Sequence, residues 1–213
     1  MAELDATRVG RYAVTWGRLF GDDSDALTFD VGCKGEADSL LVGRHYLGPA
    51  TRAELVVVGH RAGALVAVQV WVTPTARHIP SDGTWLELAR WCLTPEAGDN
   101  AGSRQHAYAV RTIKRIHPRV TTLVSYSDPS VGHTGTLYRA CNWQYAPTHH
   151  SLRYHADGVG YASGHGSWDG VTVQAPKDRW IFPLRRDLRR DELVAASMNY
   201  RPDLAADYSK GAL

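Results

Sequence analysis

The sequence predicts a mixed α/β fold: an antiparallel meander of strands followed by a strand–helix–strand unit, with helices on both faces of one sheet. Three observations predict it. Two β-branched runs, "ELVVVGH" and "ALVAVQVWV", are separated by a glycine-containing turn. An amphipathic helical pattern lies between two later apolar runs. The composition, 44% hydrophobic and 22% charged over 213 residues, is that of a globular chain with a single core.

In chain order, residues 1–35 read as an N-terminal extension carrying the acidic loop "GDDSD" at Gly21–Asp25. "EADSLLVGRHYLG", Glu36 to Gly48, reads as a short helix with Ala37, Leu40 and Leu41 as its apolar stripe. Gly43 and Gly48 punctuate its end, and His45 and Tyr46 fall just past it. Ala53 to Pro74 is a hairpin, because Val and aromatic residues suit a pleated surface and the glycines at 59 and 63 suit a turn. "TWLELARWCLTP", Thr84 to Pro95, is a third strand, and "VTTLVSYS", Val120 to Ser127, a fourth.

Between these last two, Ala107, Val110, Ile113 and Ile116 recur at helical spacing, with Ser103 as N-cap and Pro118 as stop. A strand–helix–strand crossover makes its two strands parallel neighbours. A short helix at Thr134–Cys141 and one or two strands in "NWQYAPTHHSLRYHA" follow. Residues 36–184 are therefore the folded domain and 185–213 a basic C-terminal tail or helix. This layout resembles the GNAT acyltransferase fold.

The three cysteines, Cys33, Cys92 and Cys141, are widely spaced in apolar surroundings and read as reduced core thiols. No run approaches the roughly 18 apolar residues a membrane span needs, so no membrane partner is expected. A net charge of +2 does not by itself announce nucleic acid, but its distribution is uneven. Arg104, Arg111, Lys114, Arg115 and Arg119 share one segment, and Arg185, Arg186, Arg189 and Arg190 another.

Chemistry concentrates in three places. The loop "PEAGDNAGS" leads into the long helix, where unpartnered backbone amides suit phosphate groups; Gly98, Gly102 and Ser103 are its candidates. Arg90 sits within a strand whose same-face neighbours, under regular alternation, are Leu86, Leu88 and Cys92, with Glu87 on the opposite face. The histidines of "THHSLRYH" match no compact zinc spacing and read as exposed. The third place is "SYSDPSVGHTGTLYRACNWQY", Ser125 to Tyr145. Asp128 leaves the sheet at the carboxyl end of a strand, His133 and Thr134 line the following loop, and Tyr138 stands on the next helix. A carboxylate, an imidazole and a phenol offer proton transfer, hard metal ligation and base stacking. The plainer alternative makes Asp128 a turn residue and Tyr138 core.

"HY" at His45–Tyr46, "LARWCL" around Arg90, "GS" at Gly102–Ser103 and the long Asp128–Tyr138 motif together resemble the Mom family of bacteriophage DNA-modification proteins, over roughly residues 36–150. The resemblance implies a GNAT-like enzyme that adds a carbamoylmethyl group to the exocyclic amine of adenine in double-stranded phage DNA. The modification hides the genome from restriction in the cytoplasm of the infected bacterial host. It further implies iron, with His45, Tyr46, Asp128 and Tyr138 as metal and catalytic residues beside His133. Acetyl-CoA is also implied, with Arg90 and Ser103 in its groove. The basic residues Lys114, Arg115, Arg185, Arg186, Arg189 and Arg190 then become phosphate contacts. Trp85, Trp91, Trp143 and Tyr145 become surfaces for an extruded base. A homodimer is left open. The competing readings are an N-acetyltransferase for a small amine or a protein, and a non-catalytic DNA-binding module on the same fold.

Overall fold

The structure, a computed structural model, describes residues 26–76, 79–146, 151–154, 173–185 and 187–188. The acidic loop at 21–25, His149, His155, Arg186, Arg189 and Arg190 lie outside these residues. The elements are β1 (Thr28–Gly32), α1 (Lys34–Leu41), β2 (Leu55–Arg61), β3 (Ala64–Val72), β4 (Trp85–Leu93), α2 (Ala101–Ile116), β5 (Thr122–Ser127), α3 (Thr136–Ala140), β6 (Gln144–Ala146), β7 (Ser151–Tyr154), β8 (Val173–Pro176) and β9 (Asp178–Pro183). No helix among the described residues is long and apolar enough to cross a membrane.

Seven strands form one sheet in the order β1-β2-β3-β4-β5-β9-β6, and β7 pairs with β8 separately. β1 to β4 form the antiparallel meander, β4 and β5 run parallel across α2, and β9 inserts antiparallel between β5 and β6. The meander and crossover are those the sequence predicts. β1 and β9 are additions: "TFDVG" is a short strand that lies ahead of residue 36, and β9 pairs only with residues far away in the chain.

Each face of the sheet is covered by a helix. Ala37, Leu40 and Leu41 of α1 pack on Val56, Val58, Val68, Val70 and Val72. On the opposite face, Ala109 and Ile113 of α2 pack on Leu55, Val57, Trp71, Leu86, Leu88 and Leu123. Covering both faces explains why β2 and β3 read as continuous apolar runs and not as alternating ones.

Several local expectations change. α2 begins at Ala101 behind Asn100, so Ser103 is not the N-cap; its hydroxyl donates back to the Asn100 carbonyl at 3.0 Å. The buried face of α2 is rotated from the apolar stripe, carrying Gln105, His106, Ala109, Thr112 and Ile113, while Ile116 is exposed. Gln105 is stable inside because it bonds at both ends: Nε2 donates to Val57 O at 3.0 Å and Oε1 accepts from Trp91 Nε1 at 3.0 Å. Cys33 is exposed ahead of α1 and Cys141 is buried; both are free thiols, as is the half-buried Cys92.

Candidate functional site

The site exists because β4 and β5 part company. Their parallel pairing stops at Leu88↔Ser125, although β4 runs on to Leu93 and β5 to Ser127. A register shift on β4 coincides with the split: Trp71 pairs with Leu88 but Val70 pairs with Arg90, which leaves Ala89 as an extra residue. A bulge of this kind bends its strand and re-aims the side chains beyond it. Leu88 consequently faces the α2 core with Trp71, while Arg90 and Cys92 face the α1 side with Val70 and Val68. The alternation expected from the sequence fails here, and Glu87, opposite Val72, shares the face of Arg90.

A cavity of about 740 Å³ opens at the split, within the ~300–1,000 Å³ range of small-molecule sites. Its walls include His45, Tyr46, Glu87, Arg90, Trp91, Ser127, His133, Tyr138 and Lys177. Five candidates drawn from the sequence, His45, Tyr46, Arg90, His133 and Tyr138, thus reach one space from separate segments. Asp128 lies directly behind it, 0% exposed.

Arg90 anchors the loop that carries His45 and Tyr46. Its guanidinium donates to the carbonyls of Gly48 at 2.8 Å, Pro49 at 3.4 Å and Leu47 at 3.5 Å, as well as to Ala89 O at 2.8 Å. His45 Nδ1 accepts from the Leu47 amide at 3.2 Å, which fixes the ring, and the ring stacks on Tyr46 with centroids 5.0 Å apart. The His133 ring meets Tyr46 edge-on at 5.2 Å. Burial, then the positive charges of Arg90, His133 and Lys177, push the His45 imidazole down to about 4. His133 is also lowered, first by partial burial, with Asp128 opposing and Lys177 adding to the shift. Both rings are therefore neutral near pH 7, with the His45 lone pair on Nδ1 engaged by the Leu47 amide and the His133 ring carrying one lone pair of its own. Burial raises the Glu87 carboxyl, against the lowering influence of the Thr75 amide and of Arg90.

Lys177 is the residue that sequence reasoning missed. Ser127↔Asp178 is the last pair between β5 and β9, so Asp128 and Lys177 face each other one step beyond it. The Lys177 ammonium lies 3.4 Å from Asp128 Oδ2 and donates to the Tyr46 phenol at 3.0 Å. Backbone completes the turn, with the amides of Val131 and His133 donating to Asp128 O at 3.3 and 3.2 Å. Only the strand register, spanning 49 residues, could have shown this contact, and no local pattern encodes it.

Tyr138 is tied elsewhere. Its phenol is 2.8 Å from Ser125 Oγ, and its ring stacks on Trp180 at 5.3 Å with a 7° interplanar angle. Of the side chains expected to receive a base, Trp91 lines the cavity, Tyr145 is 46% exposed on β6, and Trp85 and Trp143 are buried core.

The expected iron does not fit this donor set. Asp128 and Tyr46 converge on the Lys177 ammonium, which is already a cation, and the Tyr138 phenol is directed to Ser125. No cluster of three or more His, Cys, Asp or Glu side chains suited to a metal occurs among the described residues.

The α2 N-terminus does fit an anionic group. Gly98 has φ 76° and Asn100 φ 58°, and no side chain caps the helix. A Cβ on Gly98 would lie 2.7 Å from Arg61 Nη1, so the bare backbone and a guanidinium meet there. Gly98, Gly102 and Ser103 do not line the cavity. Leu137 stands between the cavity and Gly102: this residue is on the cavity wall, and its Cδ1 would be 2.4 Å from a Cβ on Gly102.

Comparison with known proteins agrees with this geometry. Two solved structures have TM-scores of 0.50 to the chain: yncA of Salmonella typhimurium with its cofactor acetyl-CoA, 8% identical, covering 78% of this chain and 98% of that one; and the IAA acetyltransferase of Bacillus cereus ATCC 14579, 17% identical, covering 74% and 99%. At these identities the likeness is one of fold, and the fold is GNAT-like. The methylcarbamoylase mom of Escherichia phage Mu is 32% identical over 103 residues, covering 46% of this chain and 43% of that protein, so the match spans less than half of the curated relative. The model of the Mom protein family matches residues 27–177, from the strand before α1 to the lysine at the cavity. The chain belongs to the Mom protein family.

Proposed function

We propose that this protein is a transferase that modifies DNA, adding a carbamoylmethyl group to the exocyclic amine of adenine and so shielding phage DNA from host restriction. The observation that carries this reading is the single cavity in which neutral His133, the Tyr138 phenol and the Tyr46–Lys177–Asp128 cluster meet, all within the segment matched to the family.

An adenine amine is a weak nucleophile because its lone pair is delocalised into the ring, and in duplex DNA it is tied to thymine on the paired base edge, where an enclosed active site cannot surround it. Extrusion of the base solves the second problem, and the cavity offers aromatic walls in Tyr46 and Trp91 to receive it. Neutral His133 is placed to take the proton that the amine must lose. The Tyr138 phenol, pushed up to about 12 by burial, remains protonated and holds its proton at the edge of the same space. Arg61, Gly98, Gly102 and Ser103 are the residues suited to the phosphates of acetyl-CoA. Bound there, acetyl-CoA would supply the two-carbon unit as a thioester; a nitrogen donor of the ammonia class would displace the CoA thiol to give the carbamoyl end, and joining the methyl carbon to the adenine amine would need a two-electron oxidant to take up the C–H electron pair. The exposed Arg111, Lys114 and Arg115 of α2 supply positive charge for the DNA backbone.

The test is to express the full chain in bacteria, digest the DNA to nucleosides and search for a carbamoylmethylated deoxyadenosine by mass spectrometry. The expected result is that product from the unaltered chain and its loss with Asp128→Ala. Unmodified nucleosides from a folded chain overturn the reading. Acetylated small amines or proteins would then identify an N-acetyltransferase, and retention of DNA alone a binding module.

A further inference from the structure

Tyr46 is held by little of the regular fold. It lies on the loop after α1, between Gly43 and Gly48, whose φ angles are 72° and 60°, and no strand among the described residues pairs with it. Two side chains fix this loop from opposite directions. Arg90 binds its carbonyls from β4, and Lys177 reaches the Tyr46 phenol from the single residue between β8 and β9. Lys177 is 5% exposed and its ammonium also lies 5.2 Å from the centre of the Tyr46 ring, within cation–π range. A buried ammonium and a buried carboxylate are stable together and costly apart, so Asp128 holds Lys177 in place and Lys177 in turn holds Tyr46.

We propose that Lys177 is a positioning residue of this site: its ammonium joins the Asp128 carboxylate to the Tyr46 phenol, presents the His45–Tyr46 aromatic pair to the cavity, and stands where a metal cation would otherwise bind. A metal ion bound to the same two oxygens would sit beside a like charge in a poorly hydrated place, which is strongly unfavourable unless the lysine leaves.

This inference rests on the DNA-modification reading only for its activity measurement. The first assay needs no variant. Ferric citrate is mixed with the unaltered chain, excess is removed by gel filtration, and bound iron and the visible tyrosinate-to-iron absorption are measured. No stoichiometric iron and no such band are expected. Stoichiometric iron with a band that Tyr46→Phe abolishes overturns the proposal. In the second assay Lys177→Met lowers the yield of modified nucleoside by about tenfold or more, as loss of a hydrogen bond from a charged group predicts. Lys177→Arg, which keeps the charge, recovers part of the yield. Full yield from Lys177→Met, or an arginine variant as poor as the methionine one, overturns the positioning role. Should the unaltered chain modify no DNA at all, the functional reading fails and the iron assay still decides the place of Lys177.

Discussion

The Tyr138 phenol donates a 2.8 Å hydrogen bond to Ser125 Oγ at the last rung of the β4–β5 pairing. The direction follows from proton counting: the one hydroxyl hydrogen of Ser125 goes to Leu88 O at 2.8 Å, so the phenol must supply the other. Tyr138→Phe should keep the fold at a cost of about 1 kcal/mol, read from urea unfolding, and should lose most of the modified nucleoside. A phenylalanine variant as active as the unaltered chain would remove this hydroxyl from the chemistry.

Arg90 grips its loop through two geometrically fixed nitrogens, Nε and Nη2, while Nη1 is held by Ala89 O of its own strand, an arrangement an ammonium cannot imitate. Both Arg90→Lys and Arg90→Ala are expected to loosen residues 45–49. Amide hydrogen exchange there should quicken while α2 stays protected, and DNA modification should fall in both. Unchanged exchange in the lysine variant would mean that charge alone suffices.

His106 is buried among Trp71, Trp91, Trp143 and Phe182, and neither ring nitrogen has a hydrogen-bond partner. Burial pushes it down from 6.5 to about 4. In the unfolded chain it gains its proton near pH 6.5, and in the fold only near 4. Between those values the unfolded state binds more protons, so stability is complete above pH 6.5 and declines as the pH falls towards 4, by on the order of 3 kcal/mol from this group. His106→Leu should be neutral or stabilising at pH 7 and should flatten the acid decline in urea midpoints. An unchanged decline would assign it to other groups, His45 first.

Gly135 opens α3 with φ 73°, and a Cβ there would lie 2.1 Å from Trp180 Cζ2. The indole cannot retreat, since it is 1% exposed, stacked on Tyr138 and bonded through Nε1 to Ser127 Oγ at 2.8 Å. Gly135→Ala is expected to cost about 2–4 kcal/mol, the sum of backbone strain and overpacking. Gly63, with φ 77° and open space around it, isolates the backbone part, so Gly63→Ala should cost only about 1–2 kcal/mol. Equal melting temperatures for the two variants would contradict the steric argument.

Lys114 and Arg115 are exposed in the last turn of α2. If they contact DNA phosphates, changing both to glutamate should reduce the slope of log affinity against log salt by about 2, near 0.9 for each lost contact. Arg185 is paired with Asp187 on the surface, so its reversal alone should change the slope less. An unaltered slope in the double variant takes α2 out of the interface.

What the sequence revealed about this molecule divides by distance along the chain. The β2–β3 hairpin and the extent of α2 were legible because their signals are local: β-branched runs about a turn, and helical spacing stopped before a proline. The face of α2 was not, because Gln105, His106 and Thr112 are polar residues made tolerable inside by partners or aromatic neighbours from other strands. Arg90 was recognisable as a charge placed among apolar strand residues, yet which face it occupied depended on the bulge at Ala89. Asp128, His133 and Tyr138 came from one short segment and could be read together. Lys177 could not, since lysines ordinarily sit in solvent and its partner is set by the pairing of β5 with β9.

The position of β9 also dictates when the site can come into being. Translated near the end of the described chain, this strand nonetheless fills the gap between β5 and β6. On the ribosome, a nascent chain that has not yet released Pro183 leaves β6 without its sheet neighbour among the described residues and the Tyr138 ring without the Trp180 indole stacked on it. Asp128 lacks the Lys177 ammonium until the residue just ahead of that strand arrives. The cavity wall therefore closes only after β1 to β5 are already able to pair, and a fragment cut before residue 177 lacks both Lys177 and the strand that joins β6 to the sheet.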